Sequence, residues 1–140
     1  MLDNYRDLID DLVGTPTRLR EMLATTEPPP EVVSMLAGLR DREAAVHQRV
    51  QIMLRERDPV LKPLPSGNDG RAGVTADEAL SGFESARGEL VSLLMNLTLR
   101  DWERTAIDDT GQQVTISGEV ESHIEFEEDE IERLKAALAQ

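Results

Sequence analysis

The chain has 140 residues, no cysteine and a formal net charge of −13, and only 3% of its residues are aromatic. This length suits a single domain, residues 1–140, that can bury a core, and the scarcity of aromatic residues favours aliphatic packing between helices over a β-sandwich. The lack of cysteine excludes a disulfide framework, a thiolate nucleophile and a cysteine-ligated metal. The negative charge argues against a nucleic acid or an anionic membrane as partner.

The beginning of the chain is acidic and amphipathic, which is unlike a signal peptide. No apolar run approaches the roughly 18 residues that a membrane-spanning helix needs. We therefore expect a soluble, cytoplasmic protein.

The first predicted helix carries apolar side chains at helical spacing: Leu2, Tyr5, Ile9 and Leu12. Gly14 interrupts this stripe. Thr15 followed by Pro16 is typical of a helix N-cap with proline at the first helical position, and Leu19 continues the apolar stripe beyond it. The first helix is therefore predicted to kink or break near Gly14 and to restart at Thr15. The proline run at 28–30 predicts a rigid connector after it.

A second predicted helix runs from about Glu31 to Arg57. Its inner face is Val32, Met35 or Leu36, Leu39, Glu43, Val46, Val50 and Met53. The carboxylate of Glu43 stands where an apolar side chain is expected, and His47 follows one turn later on the same side. A histidine beside an apolar stripe is often an ordinary boundary residue, so His47 alone does not identify a site.

Residues 58–74 hold three of the seven prolines and three of the nine glycines, which predicts a long loop. Its length permits a crossover, so the helices that it joins need not be antiparallel neighbours. The third helix is predicted to begin at Thr75, an N-cap that forms a capping box with Glu78. Its apolar stripe is Leu80, Phe83 or Ala86, Leu90, Leu93 or Leu94, and Leu97.

Residues 98–116 connect the third helix to the last one. The run of residues 108–111, Asp-Asp-Thr-Gly, is typical of a turn between two short extended arms, 104–107 and 112–116, and a small β-ribbon is an option here. Trp102, the only tryptophan, is expected to anchor one end of the bundle by packing.

The last predicted helix covers residues 117–140, and its apolar stripe contains one charge: Val120, Ile124, Glu127, Ile131, Leu134 and Leu138. A carboxylate within such a stripe is costly unless it is paired, hydrogen-bonded or bound to a metal, so Glu127 is either functional or at the solvated mouth of the bundle. His123 and Glu130 share its face. The acidic run is most simply a solvated face: Glu125, Glu127, Glu128, Asp129, Glu130 and Glu132.

Polar interruptions on two predicted helices point to a shared site. If the second and last helices are neighbours, Glu43, His47, Glu127 and either His123 or Glu130 can converge. Such nitrogen and carboxylate ligands suit manganese, iron or zinc better than a soft metal. The Glu-x-x-His spacing of di-metal bundles is absent. Without a metal, a Glu43–His47 pair could act as base and orienter, but no serine or cysteine stands at a credible spacing to be activated.

Three segments together resemble the DinB/YfiT-like family of four-helix bundles. The run LVGTPTRLREMLA, residues 12–24, resembles the family's first helix with its Thr-Pro restart. The run REAAVHQRV, residues 42–50, is similar to its R-E-x-x-x-H helix, and residues 97–120, LTLRDWERTAIDDTGQQVTISGEV, to the segment that enters its last helix. Each pattern is degenerate, but together they cover most of the chain. The resemblance implies an all-α four-helix bundle with a long crossover between helices 2 and 3.

The resemblance also implies a divalent-metal site. In that family a histidine on helix 2 and a His-x-x-x-His pair on the last helix bind nickel or zinc, and members with an assigned activity are thiol-dependent transferases or isomerases. His47 matches the helix 2 ligand. Aligning the last helix without gaps puts Phe126 and Glu130 at the paired positions, and a one-residue shift puts Glu127 and Ile131 there. This chain thus resembles a divergent member with an incomplete histidine triad. The candidate ligands for nickel, zinc, manganese or iron are His47, Glu127, Glu130, Glu43 and His123.

Three functions remain open. The favoured one is a bundle that keeps the family's shape, has lost its metal and serves as a binding or dimerisation module. The alternatives are a metal-dependent transferase, isomerase or hydrolase-like enzyme acting on a small molecule, and a helical adaptor outside this family. A homodimer is expected because Leu54, Leu94 and Leu99 lie beyond a single apolar stripe. A small-molecule ligand is the other expected partner.

Overall fold

A computed structural model of the protein describes residues 2–24, 27–65 and 73–139. Four long helices form its body: α1 (Leu2–Leu23), α2 (Pro30–Arg55), α3 (Ala76–Met95) and α5 (Ile116–Leu138). Between the last two lie a one-turn helix, α4 (Leu99–Trp102), and two short strands, β1 (Thr105–Ile107) and β2 (Gln113–Thr115). The strands pair antiparallel. The expected four-helix bundle and its optional β-ribbon are confirmed.

The α2 and α3 helices are neighbours that run parallel. Glu43 of α2 contacts Arg87 of α3, and one turn later His47 lies 3.8 Å from Glu89. Parallel helices need a connection that returns along the bundle, and residues 56–75 provide it. The predicted crossover is therefore confirmed, although residues 66–72 of the predicted loop lie outside the described part of the chain.

The other two long helices run opposite to this pair. The contacts between α2 and α5 follow reverse order, because Arg49 pairs with Glu119 whereas Glu43 pairs with His123. The last turn of α1 meets the first half of α3 through Arg20, which binds an acidic side chain there. The helices are therefore arranged up, down, down and up in chain order.

The α1 helix is continuous, so the predicted break near Gly14 and the restart at Thr15 are wrong. Pro16 lies inside the helix and has no N–H to donate to the carbonyl of Leu12. That carbonyl instead accepts a hydrogen bond from Nη1 of Arg87 on α3, at 2.6 Å. A donor from a neighbouring helix therefore replaces the bond that the proline removes.

The predicted start of α3 is confirmed in atomic detail. The hydroxyl of Thr75 accepts a hydrogen bond from the Glu78 backbone N–H at 3.1 Å, and the Glu78 carboxylate accepts one from the Thr75 N–H. The same arrangement, which was not predicted, joins Thr98 and Asp101 at the start of α4. Each capping box satisfies backbone donors that the first turn leaves without helical partners.

The hydrophobic core is divided into two apolar clusters along the bundle axis. The first cluster includes Leu12, Val46, Val50, Leu90, Trp102 and Val120. The second includes Leu19, Leu36, Leu39, Phe83, Ile131 and Leu134. The predicted anchoring role of Trp102 is confirmed, because its ring is 1% exposed and stacks on Tyr5 with 4.6 Å between the centroids.

The apolar residues behind the expected homodimer are mostly not exposed. Leu94 is 1% exposed and Leu54 packs against the first apolar cluster, so only Leu99 of the three, at 48%, presents a large apolar surface. No helix in the described ranges is long and apolar enough to cross a membrane.

Candidate functional site

A layer of polar side chains separates the two apolar clusters, and we call it the buried polar layer. Its members are Thr15 of α1, Glu43 of α2, Arg87 of α3, and His123 and Glu127 of α5. Each is at most 2% exposed. They occupy the inward stripes of their helices, which is why the four helices bring them to one level of the bundle.

Arg87 holds the layer together. Its Nε donates to Oε2 of Glu43 at 2.5 Å and its Nη2 to Oε1 of the same carboxylate at 2.8 Å, which makes a bidentate pair. Nη2 also donates to Oε1 of Glu127, and Nη1 donates to the freed carbonyl of Leu12. One guanidinium on α3 thus binds α1, α2 and α5, a use for which its planar fork of donors is suited.

Each carboxylate of the layer also has a partner other than Arg87. Oε1 of Glu43 lies 2.7 Å from Nε2 of His123, and Oε2 of Glu127 accepts a hydrogen bond from the Thr15 hydroxyl at 2.8 Å. Buried carboxylates are stable when each oxygen is hydrogen-bonded, and this condition holds for both. The Nδ1 atom of His123 is buried and has no hydrogen-bond partner among the described residues.

The charges of this layer keep Glu43 ionised. Burial is the largest influence and by itself raises the pKa of Glu43, but hydrogen bonds and attraction from Arg87 and His123 outweigh it and lower the pKa to about 2. Burial likewise opposes the charge of Arg87, yet its bonds to Glu43 and then Glu127 raise its pKa above the ordinary value. Glu43 and Arg87 are therefore a charged pair at neutral pH.

Three members of the layer have the geometry of a metal site. Glu43, His123 and Glu127 each offer one ligand atom, and these atoms lie within 4.8 Å of one another. A nitrogen with carboxylate oxygens can bind a divalent metal. The position between them is, however, taken by Arg87, which uses the same oxygens. A dication and the guanidinium in its present position do not fit together, because two cations would share one set of oxygens.

The predicted convergence holds for some of the candidate residues. Glu43, His123 and Glu127 meet in the buried polar layer, and Glu127 does not lie at a solvated mouth, since it is 1% exposed. His47 lies outside the layer and approaches Glu89 on α3. Glu130 also lies outside it and pairs with Arg133 at 2.7 Å. The nitrogen in the layer therefore comes from α5 and not from α2.

Two members of the layer were not predicted, namely Thr15 and Arg87. Arg87 falls four residues after Phe83 and three before Leu90, so it interrupts the α3 stripe as Glu43 interrupts that of α2. Pro16 gave a further signal, because a proline inside a helix leaves a carbonyl that needs another donor. An arginine within the apolar stripe of a neighbouring helix is a suitable donor.

A second ionic cluster lies between α2 and α5, one to two turns from the buried polar layer. Nη1 of Arg49 donates to both carboxylate oxygens of Glu119 at 3.0 Å, and Nη2 donates to the Lys62 carbonyl at 2.6 Å. Arg42 lies on the same side of α2, with its guanidinium carbon 3.7 Å from the ring centroid of Phe126. Burial, followed by repulsion from Arg49, lowers the pKa of Arg42.

Comparison with solved structures identifies the class of fold. YfiT from Bacillus subtilis superimposes with a TM-score of 0.84 over 98% of this chain and 87% of that one, with 16% sequence identity. It is described as a probable metal-dependent hydrolase with an unusual four-helix bundle topology. No protein-family model matches the sequence, and no curated protein is significantly similar to it. The chain has a YfiT-like four-helix-bundle fold, as its resemblance to that family implied.

Proposed function

We propose that this chain is a non-catalytic binding module that keeps the YfiT-like fold and in which Arg87 supplies the positive charge that a metal would otherwise supply. The observation that carries the proposal is the bidentate pair between Arg87 and Glu43, extended by the bond to Glu127. An arginine cannot lose its charge in a protein, so this internal cation is permanent. A metal would have to expel it.

The closure of the layer also supports a role without catalysis. A catalytic metal keeps one coordination position open for water or substrate, and a reacting group must reach it. The side chains of the buried polar layer are at most 2% exposed. The hydroxyl of Thr15 is hydrogen-bonded to Glu127 and lies out of reach of solvent. We infer that the layer stabilises the packing of the four helices through ion pairs and hydrogen bonds.

A metal-dependent enzyme is the second candidate function. It is favoured by the mutual distances of Glu43, His123 and Glu127 and by the description of YfiT as a probable metal-dependent hydrolase. It requires Arg87 to leave the layer when metal enters. An adaptor unrelated to this family is less well supported, because the parallel α2–α3 pair and its crossover match the YfiT-like topology.

Metal analysis of protein purified without a histidine tag tests the proposal. We expect well under one equivalent of nickel, zinc, manganese or iron per chain, and a melting curve that neither EDTA nor added metal changes. About one equivalent of metal, with a melting temperature that falls in EDTA and recovers when the metal returns, would refute it and favour the enzyme. An Arg87→Ala variant is the informative companion, because it frees the carboxylates and should gain stability when metal is added.

The oligomeric state of the module remains a prediction. With Leu94 and Leu54 turned towards the core, a homodimer has less exposed apolar surface to use than the sequence suggested. Light scattering across a range of protein concentrations measures the mass directly. A constant mass near the 15.6 kDa of one chain would contradict the homodimer.

A further inference from the structure

Arg42 lies where α2 and α5 meet, with its guanidinium stacked on the ring of Phe126. Arg42 is half-buried and forms no ion pair within 4.0 Å in the described part of the chain. Its Nε is buried and has no hydrogen-bond partner there. The chain carries 28 acidic residues against 15 basic ones, so an arginine left without a carboxylate partner is unexpected.

The two carboxylates that attract Arg42, Glu119 and Glu130, are engaged by other cations. Glu119 gives both of its oxygens to Arg49, and Glu130 pairs with Arg133. Arg49 is fixed in turn by that pair and by a backbone carbonyl, so it holds Glu119 in place. Among the described residues, Arg42 therefore has no carboxylate of its own within ion-pair distance, although Glu119 and Glu130 attract it from further away.

The position of Arg42 suits an incoming planar anion. Its guanidinium carbon lies 3.7 Å from the centroid of the Phe126 ring, and stacking on a ring leaves the in-plane N–H groups of an arginine free. A carboxylate in that plane can accept two parallel, charge-assisted hydrogen bonds, which are stronger than hydrogen bonds between neutral groups. The two terminal nitrogens of Arg42, which donate to no acceptor among the described residues, are the groups that such a carboxylate would meet.

We propose that Arg42, stacked on Phe126 between α2 and α5, anchors a binding site for the carboxylate of a small organic acid. The site lies outside the buried polar layer and requires no metal. This inference deepens the proposed function, since it names the ligand class of the binding module. The acid-binding test uses EDTA-treated protein, so its result does not depend on whether the chain binds a metal. Failure of this inference can therefore be told apart from failure of the proposed function.

Titration of ¹⁵N-labelled protein with acetate, succinate or inorganic phosphate, at ionic strength held constant with sodium chloride, tests the site. The side-chain Nε–H signal of Arg42, assigned by its loss in Arg42→Gln, should shift saturably with acetate and succinate. We expect Arg42→Gln to weaken acid binding by at least about tenfold, because a charged hydrogen-bonding partner is lost. In this variant, binding is measured from the shifts of backbone amide signals near Phe126. Arg42→Lys keeps the charge but not the fork and should also bind more weakly.

The matched control is Arg57→Gln, which removes the same charge from an exposed arginine beyond the end of α2. Its affinity for the acids should equal that of the unmodified chain. The proposal is overturned if no acid gives a saturable shift. It is also overturned if Arg42→Gln and Arg57→Gln weaken binding equally, because the acids would then respond to the net charge of the protein and not to a site at Arg42. Phosphate binding that is tighter than acetate and succinate binding would overturn the assignment to a carboxylate.

Discussion

Replacing Arg87 by methionine removes the guanidinium from the buried polar layer and keeps a side chain of similar length. The variant loses the donors to both carboxylates and to the Leu12 carbonyl. Among the described residues, Glu43 would then keep only His123 as a hydrogen-bond partner, and Glu127 only Thr15. Arg87→Met should therefore destabilise the fold strongly.

The magnitude follows from the groups that are left without partners. Breaking a buried ion pair by removing one member costs about 3–5 kcal/mol, because a charge remains buried and uncompensated. The Leu12 carbonyl adds about 1–3 kcal/mol, because Pro16 has no N–H to replace the lost donor. The sum, about 4–8 kcal/mol, is comparable with the whole stability of a typical domain, about 5–15 kcal/mol.

Urea unfolding followed by circular dichroism at neutral pH measures this loss, and the chain provides a matched control. Arg20 also binds a glutamate of α3 through two bonds, Nε and Nη2 to Glu84 at 2.8 and 2.7 Å, but its side chain is 48% exposed. Arg20→Met should cost far less than Arg87→Met, because water screens and replaces an exposed pair. Equal losses in the two variants would refute the stabilising role assigned to burial of the Arg87 pairs.

The other predictions concern single contacts. The lowered pKa of Glu43, about 2 against an ordinary 4.5, adds stability that is complete above pH 4.5 and is lost as the pH falls towards 2, by up to about 3 kcal/mol. The difference in unfolding free energy between the unmodified chain and Glu43→Gln should therefore shrink from pH 6 to pH 3, and a constant difference would contradict the charged state. Thr15→Val leaves a buried carboxylate oxygen without its donor and should cost about 1–3 kcal/mol in the same urea assay. Gly88→Ala should stabilise α3 by about 0.5–1 kcal/mol, because the new methyl group meets no neighbour. Gly82→Ala should not stabilise it, because its methyl group would lie 2.6 Å from Cδ of Arg40. Equal shifts in the melting temperatures of the two variants would refute this prediction.

The sequence alone predicted most of the secondary structure and the bundle. Apolar spacing predicted the four long helices, and Thr75 with Glu78 predicted the start of α3. The length of the proline-rich and glycine-rich loop permitted a crossover, which the family resemblance implied. These features are local: an N-cap, a stripe and a turn depend on residues a few positions apart. The break expected near Gly14, with a restart at Thr15, is wrong. The signal for it, a proline in the sequence, is local, whereas the donor that compensates for Pro16 comes from Arg87 on another helix.

The sequence also showed that Glu43 and Glu127 interrupt apolar stripes and so need partners. It did not show which partners they have. Periodicity defines the inward face of each helix, but the relative rotation and axial position of neighbouring helices decide which side chains meet, and these depend on the packing of the whole core. That packing brings Arg87 and His123 into the layer and leaves His47 beside Glu89. The tertiary structure therefore decided that the two buried carboxylates meet an arginine, because only the assembled bundle brings four helices to one level.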